Sequence, residues 1–138
     1  MLKCACIHPE LIKALAECGH GDKILIADGN YPIESKTGVG AKKVHLNLTH
    51  GIPLVTDVLK VLTAVIPIER TEVMTPGDSE EPSIFSEFTD ILGKEIKMDK
   101  LERFEFYDAC GNEEVRLAIA TGEQRVFGNI LLTVGVMQ

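Results

Sequence analysis

Lys23-Ile24-Leu25-Ile26-Ala27-Asp28 holds four consecutive apolar residues with a charge at each end. A strand with one wet face alternates polar and apolar side chains. An unbroken run of this length reads instead as a strand buried on both faces, as in a sheet covered by helices. Just before it, Pro9 to Cys18 predicts a short helix. Pro9 suits the first helical position, Leu11, Ile12, Leu15 and Ala16 form an apolar stripe, and Gly19 is placed to stop the helix in a left-handed conformation. Gly29-Asn30-Tyr31-Pro32 is turn chemistry, and Glu34 to Ala41 reads as loop.

Further along, Val44, Leu46 and Leu48 alternate with Lys43, His45 and Asn47, the period of a strand. Pro53 is expected to open a helix through Ile66, with Val55, Val58, Leu59, Leu62 and Val65 on one face, and Pro67 to end it. Ile68 to Met74 predicts a strand, Thr75 to Glu81 an acidic surface loop, and Pro82 to Ile91 a helix. Leu101 to Cys110 is read as a helix ending at Gly111, followed by strands at Val115–Ala120 and Ile130–Val136. The stretch from Leu92 to Lys100 receives no element. Helices interleaved with apolar strands indicate an α/β fold, a three-layer α/β/α sandwich. Several connections are short, so the central sheet is expected to be mostly parallel or mixed.

The chain has 138 residues, 45% of them hydrophobic and 25% charged, which suits a single domain spanning 1–138 around one core. Fourteen basic residues against twenty-one acidic ones give a net charge of −7. No basic cluster is denser than Lys42-Lys43, so neither nucleic acid nor an anionic membrane surface is an expected partner. Trp is absent, which disfavours a base-stacking platform. No apolar run approaches the roughly 18 residues that span a bilayer. Met1-Leu2-Lys3-Cys4 does not open a signal peptide, so Cys4, Cys6, Cys18 and Cys110 are expected as reduced thiols of a cytoplasmic protein.

Three stretches hold chemistry. The first is Gly19-His20-Gly21-Asp22 followed by Asp28. An imidazole gives and takes a proton near neutrality, and ligands of open α/β sheets gather at the carboxyl ends of strands, where Asp28 falls. Read locally, His20 capping a helix end and Asp28 capping a turn are the plainer roles. The second is Arg103 with Phe104, Phe106 and Tyr107, a charged partner beside stacking faces that suits a polar ring compound; read alone, these are core aromatics and a solvated Arg. The third is Gly122-Glu123-Gln124-Arg125-Val126-Phe127-Gly128-Asn129, in which glycines allow close backbone approach and an amide offers donors and acceptors; read alone, it is a connecting loop. Cys4-x-Cys6-x-His8 lacks the paired spacing of zinc signatures, and no metal site is expected. Gly19-x-Gly21 and Gly38-x-Gly40 are not a dinucleotide fingerprint, and neither a P-loop nor a nucleophile elbow is present. His8, His45 and His50 receive no role.

In order along almost the whole chain, these segments resemble the D-ribose pyranase / L-fucose mutarotase family (RbsD/FucU). The resemblance rests on Leu11–Leu15, Gly19-His20-Gly21-Asp22, Ile24–Asp28, Pro32 and Gly51-Ile52-Pro53. It continues through Arg103-Phe104-Glu105-Phe106-Tyr107, Thr121-Gly122-Glu123, Phe127-Gly128-Asn129-Ile130-Leu131-Leu132 and Gly135-Val136. It implies a cofactor-free isomerase that interconverts ring forms of a free monosaccharide, assembled as a ring, typically a decamer, with sites at subunit interfaces. It makes His20 the catalytic acid/base and Asp28 a sugar-binding residue. Arg103 falls where the fucose branch has its substrate-contacting Arg, and Phe127, Gly128 and Asn129 fall on the closing substrate-binding triplet.

Two departures stand out. The triplet normally begins with Tyr, and Phe127 lacks that hydroxyl. Gly29-Asn30-Tyr31-Pro32 matches neither branch. Arg103–Tyr107 is similar to the fucose branch, while Leu46–Pro53 is similar to the ribose branch. The implied reaction is a mutarotation, with L-fucose as the first candidate substrate, D-ribose as the alternative, and a non-catalytic sugar-binding or transport-accessory protein as a third reading. Opening and reclosing a hemiacetal moves one proton off the anomeric hydroxyl and another onto the ring oxygen, work suited to an imidazole.

Overall fold

A computed structural model describes residues 1–138. Six strands form one sheet: β1 (Lys23–Ala27), β2 (Lys42–His45), β3 (Ile68–Met74), β4 (Lys97–Leu101), β5 (Val115–Ala120) and β6 (Ile130–Val134). The spatial order is β2-β5-β1-β6-β3-β4. β1 and β2 run parallel to β5, and β3 runs parallel to β4. β6 is inserted antiparallel between β1 and β3, so the sheet is mixed.

The unbroken run at Ile24–Ala27 does what its composition requires. Ile24 and Ile26 point to one face, Leu25 and Ala27 to the other, and all four are fully buried. The first face is covered by α1 (Pro9–Glu17), α2 (Val55–Thr63) and α3 (Ile84–Leu92), which supply Leu11, Leu15, Leu59, Leu62, Phe85 and Phe88. The second is covered by α4 (Arg103–Cys110), through Phe106 and Cys110, and by Tyr31, Ile33 and Ala41 of the segment after β1. These are the three layers, α/β/α. No helix is long and apolar enough to cross a membrane.

The structure corrects several boundaries. α1 begins at Pro9 but ends into an extended Cys18; Gly19 does not take the left-handed role, and the positive φ falls at Gly21 (φ 89°). The Asp22 carboxylate instead accepts from the Gly19 N–H at 2.7 Å. Pro53 does not open α2. Its peptide with Ile52 is cis, and its carbonyl accepts from the Gly122 N–H at 2.9 Å, so it belongs to a turn docked on that residue. α2 starts at Val55, where Asp57 accepts from the Leu54 N–H at 2.9 Å. β2 stops at His45, because Leu48 turns back to pair with Ile52. β4 is a whole element that periodicity does not reveal. Three of its five residues are charged, and as an edge strand it is held by backbone pairing to β3 with little apolar burial. His8 takes a definite place, its Nδ1 accepting from the Leu11 N–H at 3.3 Å as the cap of α1. Cys6 is buried in the core beside it.

Candidate functional site

Asp28 leaves the carboxyl end of β1 and is buried, with 4% of its surface exposed. Three backbone and side-chain bonds hold it there. Its Oδ1 accepts from the Asn30 N–H at 3.0 Å, and its Oδ2 accepts from the Gly128 N–H at 3.1 Å. Its own N–H donates to Asn129 Oδ1 at 2.7 Å. Burial pushes the carboxyl above its ordinary range, and these hydrogen bonds oppose that rise without cancelling it. Each carboxylate oxygen keeps an unused lone pair, so Asp28 can still accept from a ligand hydroxyl.

The loop before β6 brings the partners in. Gly122 and Gly128 are glycines because nothing larger fits. A Cβ on Gly122 would lie 2.2 Å from the Thr49 carbonyl oxygen, and one on Gly128 would lie 2.8 Å from that of Arg125. Between them Phe127 adopts φ 60°, uncommon for a residue with a Cβ. Arg103 opens α4, whose first turn is capped by the Glu102 side chain accepting from the Glu105 N–H at 2.9 Å. Its guanidinium lies 5.7 Å from the centroid of the Tyr107 ring and 5.8 Å from that of Phe104, and its Nε donates to the Tyr107 hydroxyl at 3.4 Å. The Arg103 motif therefore divides: Phe106 fills the core, Phe104 is exposed, and Arg103 and Tyr107 face a cavity.

That cavity measures about 230 Å³ and is bounded by Asp28, Arg103, Phe127 and Asn129, together with Asn30, Tyr31, Met74, Tyr107 and Val126. A carboxylate, two amides, a guanidinium and aromatic faces around a small volume make a site for a compact, hydroxyl-rich molecule. Asp28, Arg103, Tyr107, Phe127 and Asn129, all singled out from the sequence, thus meet at one cavity, and Gly128 supports it from behind through Asp28. A second, larger polar cavity of about 520 Å³ adjoins it, with Asn30 on both. Asn30 reads from the sequence only as part of the turn after β1, and Met74, the last residue of β3, stands in no motif. Tyr107, singled out with Arg103 as a stacking face, lies four residues from it, which places both on one helix face.

His20 is not at this cavity. It lies in the turn before β1, at the opposite end of the strand from Asp28, with its side chain 59% exposed. Its Nε2 lies 3.0 and 3.2 Å from the two carboxylate oxygens of Glu69. Glu69 sits where the β3–β6 register slips between Ile68 and Arg70, the kind of irregularity that redirects a side chain. The turn itself is pinned to β6, Gly21 N–H donating to the Val134 carbonyl at 3.0 Å. No sequence motif pointed to Glu69.

This chain has relatives of known sequence and of known structure. It is 35% identical to human (Homo sapiens) fucose mutarotase over 143 residues, covering 96% of this chain and 91% of the relative. It is 31% identical to L-fucose mutarotase of Actinobacillus pleuropneumoniae serotype 5b, with 94% and 92% covered. Its fold superposes on Bacillus subtilis RbsD complexed with D-ribose at a TM-score of 0.83, with 28% identity over the full length of both chains. It superposes on the Streptococcus pneumoniae fucose mutarotase in complex with L-fucose at 0.79, with 26% identity and 96% and 95% covered. The RbsD / FucU transport protein family model matches residues 1–137, and with near-complete coverage in every comparison, the chain belongs to that family.

Proposed function

We propose that this chain is a monosaccharide mutarotase, an isomerase that speeds the interconversion of ring forms of a free aldose, with L-fucose as its first substrate. The observation that carries the reading is the small cavity joining the buried Asp28 carboxylate, the Asn129 amide and the Arg103 guanidinium. Relatives named fucose mutarotase at 31–35% identity and solved neighbours holding L-fucose or D-ribose support it. Arg103–Tyr107 favours L-fucose over D-ribose.

In this reading Asp28 and Asn129 bind sugar hydroxyls, and Arg103 holds an oxygen of the ring or its substituents. Phe127 forms an apolar wall, with Gly128 fixing the Asp28 carboxylate. His20 moves the proton. Glu69 on Nε2 leaves Nδ1 as the atom that exchanges a proton with the sugar. Because His20 and the cavity lie at opposite ends of β1, the imidazole that works at one cavity belongs to a neighbouring copy, in keeping with a ring-shaped homo-oligomer, a decamer in the family resemblance. Residues 1–138 act as one domain. The mechanism calls on no metal or cofactor. Four cysteines without a disulfide suit the cytoplasm.

Exchange NMR on the anomeric protons of L-fucose and D-ribose, with and without protein, tests the proposal. Faster exchange with L-fucose supports it, and faster exchange only with D-ribose moves the chain to the ribose pyranases. Phe127, without the hydroxyl of the family's usual Tyr, favours a second reading as a sugar-binding protein. Binding of either sugar with no faster exchange would establish that reading instead.

A further inference from the structure

Arg125 lines none of the sugar cavity, yet it is the most heavily bonded side chain in the loop that builds it. Its Nε and Nη2 donate to the two carboxylate oxygens of Glu123, each at 2.9 Å, and its backbone N–H donates to Glu123 Oε1 at 3.1 Å. Its Nη1 reaches the Glu87 carboxylate on α3. The Glu123 side chain is only 2% exposed, a buried charge that needs compensation. Burial alone would push that carboxyl up; the Arg125 bonds outweigh burial and hold it below its ordinary range.

The pair sits directly behind the site. The Glu123 carbonyl accepts from the Gly29 N–H at 2.8 Å, tying it to the turn that follows Asp28. The space a Gly128 side chain would need is taken by the Arg125 carbonyl oxygen at 2.8 Å, Glu123 Cγ at 3.0 Å and Asp28 Cβ at 3.4 Å. The clamp's own atoms therefore form the floor on which Gly128 rests while its N–H points at Asp28. Phe127, between the clamp and Gly128, holds φ 60°. A residue with a Cβ stays in that region only when its surroundings force it there, and such positions cluster at ligand sites.

We propose that the Glu123–Arg125 pair, anchored to α3 through Glu87, is the positioning device of the sugar site: it sets the loop so that the Phe127 ring stands as a wall and the Gly128 N–H engages the Asp28 carboxylate. Arg125 touches no sugar and acts through Asp28. The inference rests on the sugar-site reading above.

Arg125→Lys keeps the charge and loses the two-pronged contact, and Glu123→Gln keeps the shape and loses the charge. Both are measured for anomer exchange of L-fucose, for thermal unfolding, and for hydrogen–deuterium exchange of the peptide spanning Gly128 without sugar. In folded variants kcat/KM should fall about 10- to 100-fold, the scale of a misplaced binding group. Exchange at the Gly128 peptide should quicken at least about tenfold, on the same scale of a lost strong hydrogen bond. Adding Asp28→Asn to Arg125→Lys should cost much less than adding it to the wild type, because residues acting through one contact are not additive. Additive losses, or unchanged kcat/KM and Gly128 exchange in a folded variant, would overturn the proposal. If the wild type fails to accelerate anomer exchange, the mutarotase reading falls. The Gly128 exchange, with the Asp28 coupling read in sugar affinity, then decides the clamp by itself.

Discussion

His20 and Asp28 stand at opposite ends of β1, three residues before its first residue and one after its last. Five residues of strand span about 17 Å at roughly 3.3 Å per residue, too far for one imidazole to serve the cavity of its own chain. His20→Ala should lower kcat by about 10²–10⁴-fold, the usual contribution of a general acid or base. The side chain is exposed, so stability should change by no more than about 0.5 kcal/mol. Mixing inactive His20→Ala and Asp28→Ala proteins under subunit exchange should restore part of the activity, since some sites then combine a good His20 with a good Asp28. No recovery after verified exchange would refute a site shared between copies.

Asp28 gives a pH signature with two opposite slopes. Its folded pKa is raised by burial, so the folded state holds this proton more tightly than the unfolded chain does. The stability it contributes is fully present below the unfolded value of about 3.9 and is lost as pH rises through the higher folded value. A sugar hydroxyl donating to the carboxylate needs the ionised form, so affinity for L-fucose should rise with pH across the same window. Titrating affinity and melting temperature in wild type and Asp28→Asn, and taking differences, isolates both effects. Glu123 runs the other way: its lowered pKa contributes stability above its unfolded value, about 4.3, that is lost as pH falls through the folded one. A difference profile of the same sign for Asp28 and Glu123 would contradict the assignment.

Phe127→Tyr restores a hydroxyl at the cavity wall without changing the aromatic ring or asking more of the backbone at φ 60°. One added hydrogen bond of about 0.5–1.5 kcal/mol should tighten L-fucose binding about two- to tenfold. Calorimetric titration reads this directly. Weaker binding by the Tyr variant would mean that the hydroxyl has no partner in the bound complex.

Gly122→Ala tests how the site loop is seated. The new Cβ would meet the Thr49 carbonyl oxygen at 2.2 Å, and the Ile52 carbonyl oxygen and N at 2.7 and 2.8 Å, all backbone atoms that cannot swing aside. Overpacking of this kind should cost about 3 kcal/mol or more in chemical denaturation. A loss within about 0.5 kcal/mol would show that the 49–53 turn yields easily.

Packing on the α4 face offers a control away from the chemistry of the loop. Phe106 is fully buried between α4 and the sheet, edge-on to Tyr31 with ring centroids 6.1 Å apart. Phe106→Ala should cost about 3–5 kcal/mol by leaving a cavity. Because Tyr31 borders the cavity proposed to hold the sugar, folded protein at low temperature should also show a raised KM for L-fucose. An unchanged KM would show that Tyr31 keeps its place without the Phe106 ring.

The sequence by itself determined the layers and most of the elements. Ile24–Ala27 cannot expose either face, so helices must cover both; Leu11 with Leu15, and Val55 with Val58, Leu59 and Leu62, repeat at helical spacing and supply one cover. It also determined which residues stand in the Gly19–Asp22, Arg103–Tyr107 and Phe127–Asn129 motifs. Only the tertiary structure decided that β6 enters antiparallel between β1 and β3, that charged Lys97–Leu101 pairs as an edge, and that Pro53 serves a turn docked on Gly122 rather than a helix. It alone brought Gly128 to Asp28, a hundred positions away, placed Glu69 beside His20, and kept His20 from the cavity. The physical reason is common to all of these. Hydrophobic periodicity records which face of an element is buried, whereas strand order, register and the meeting of distant loops depend on backbone N–H and C=O groups that are alike at nearly every residue and find their partners only when the whole chain packs.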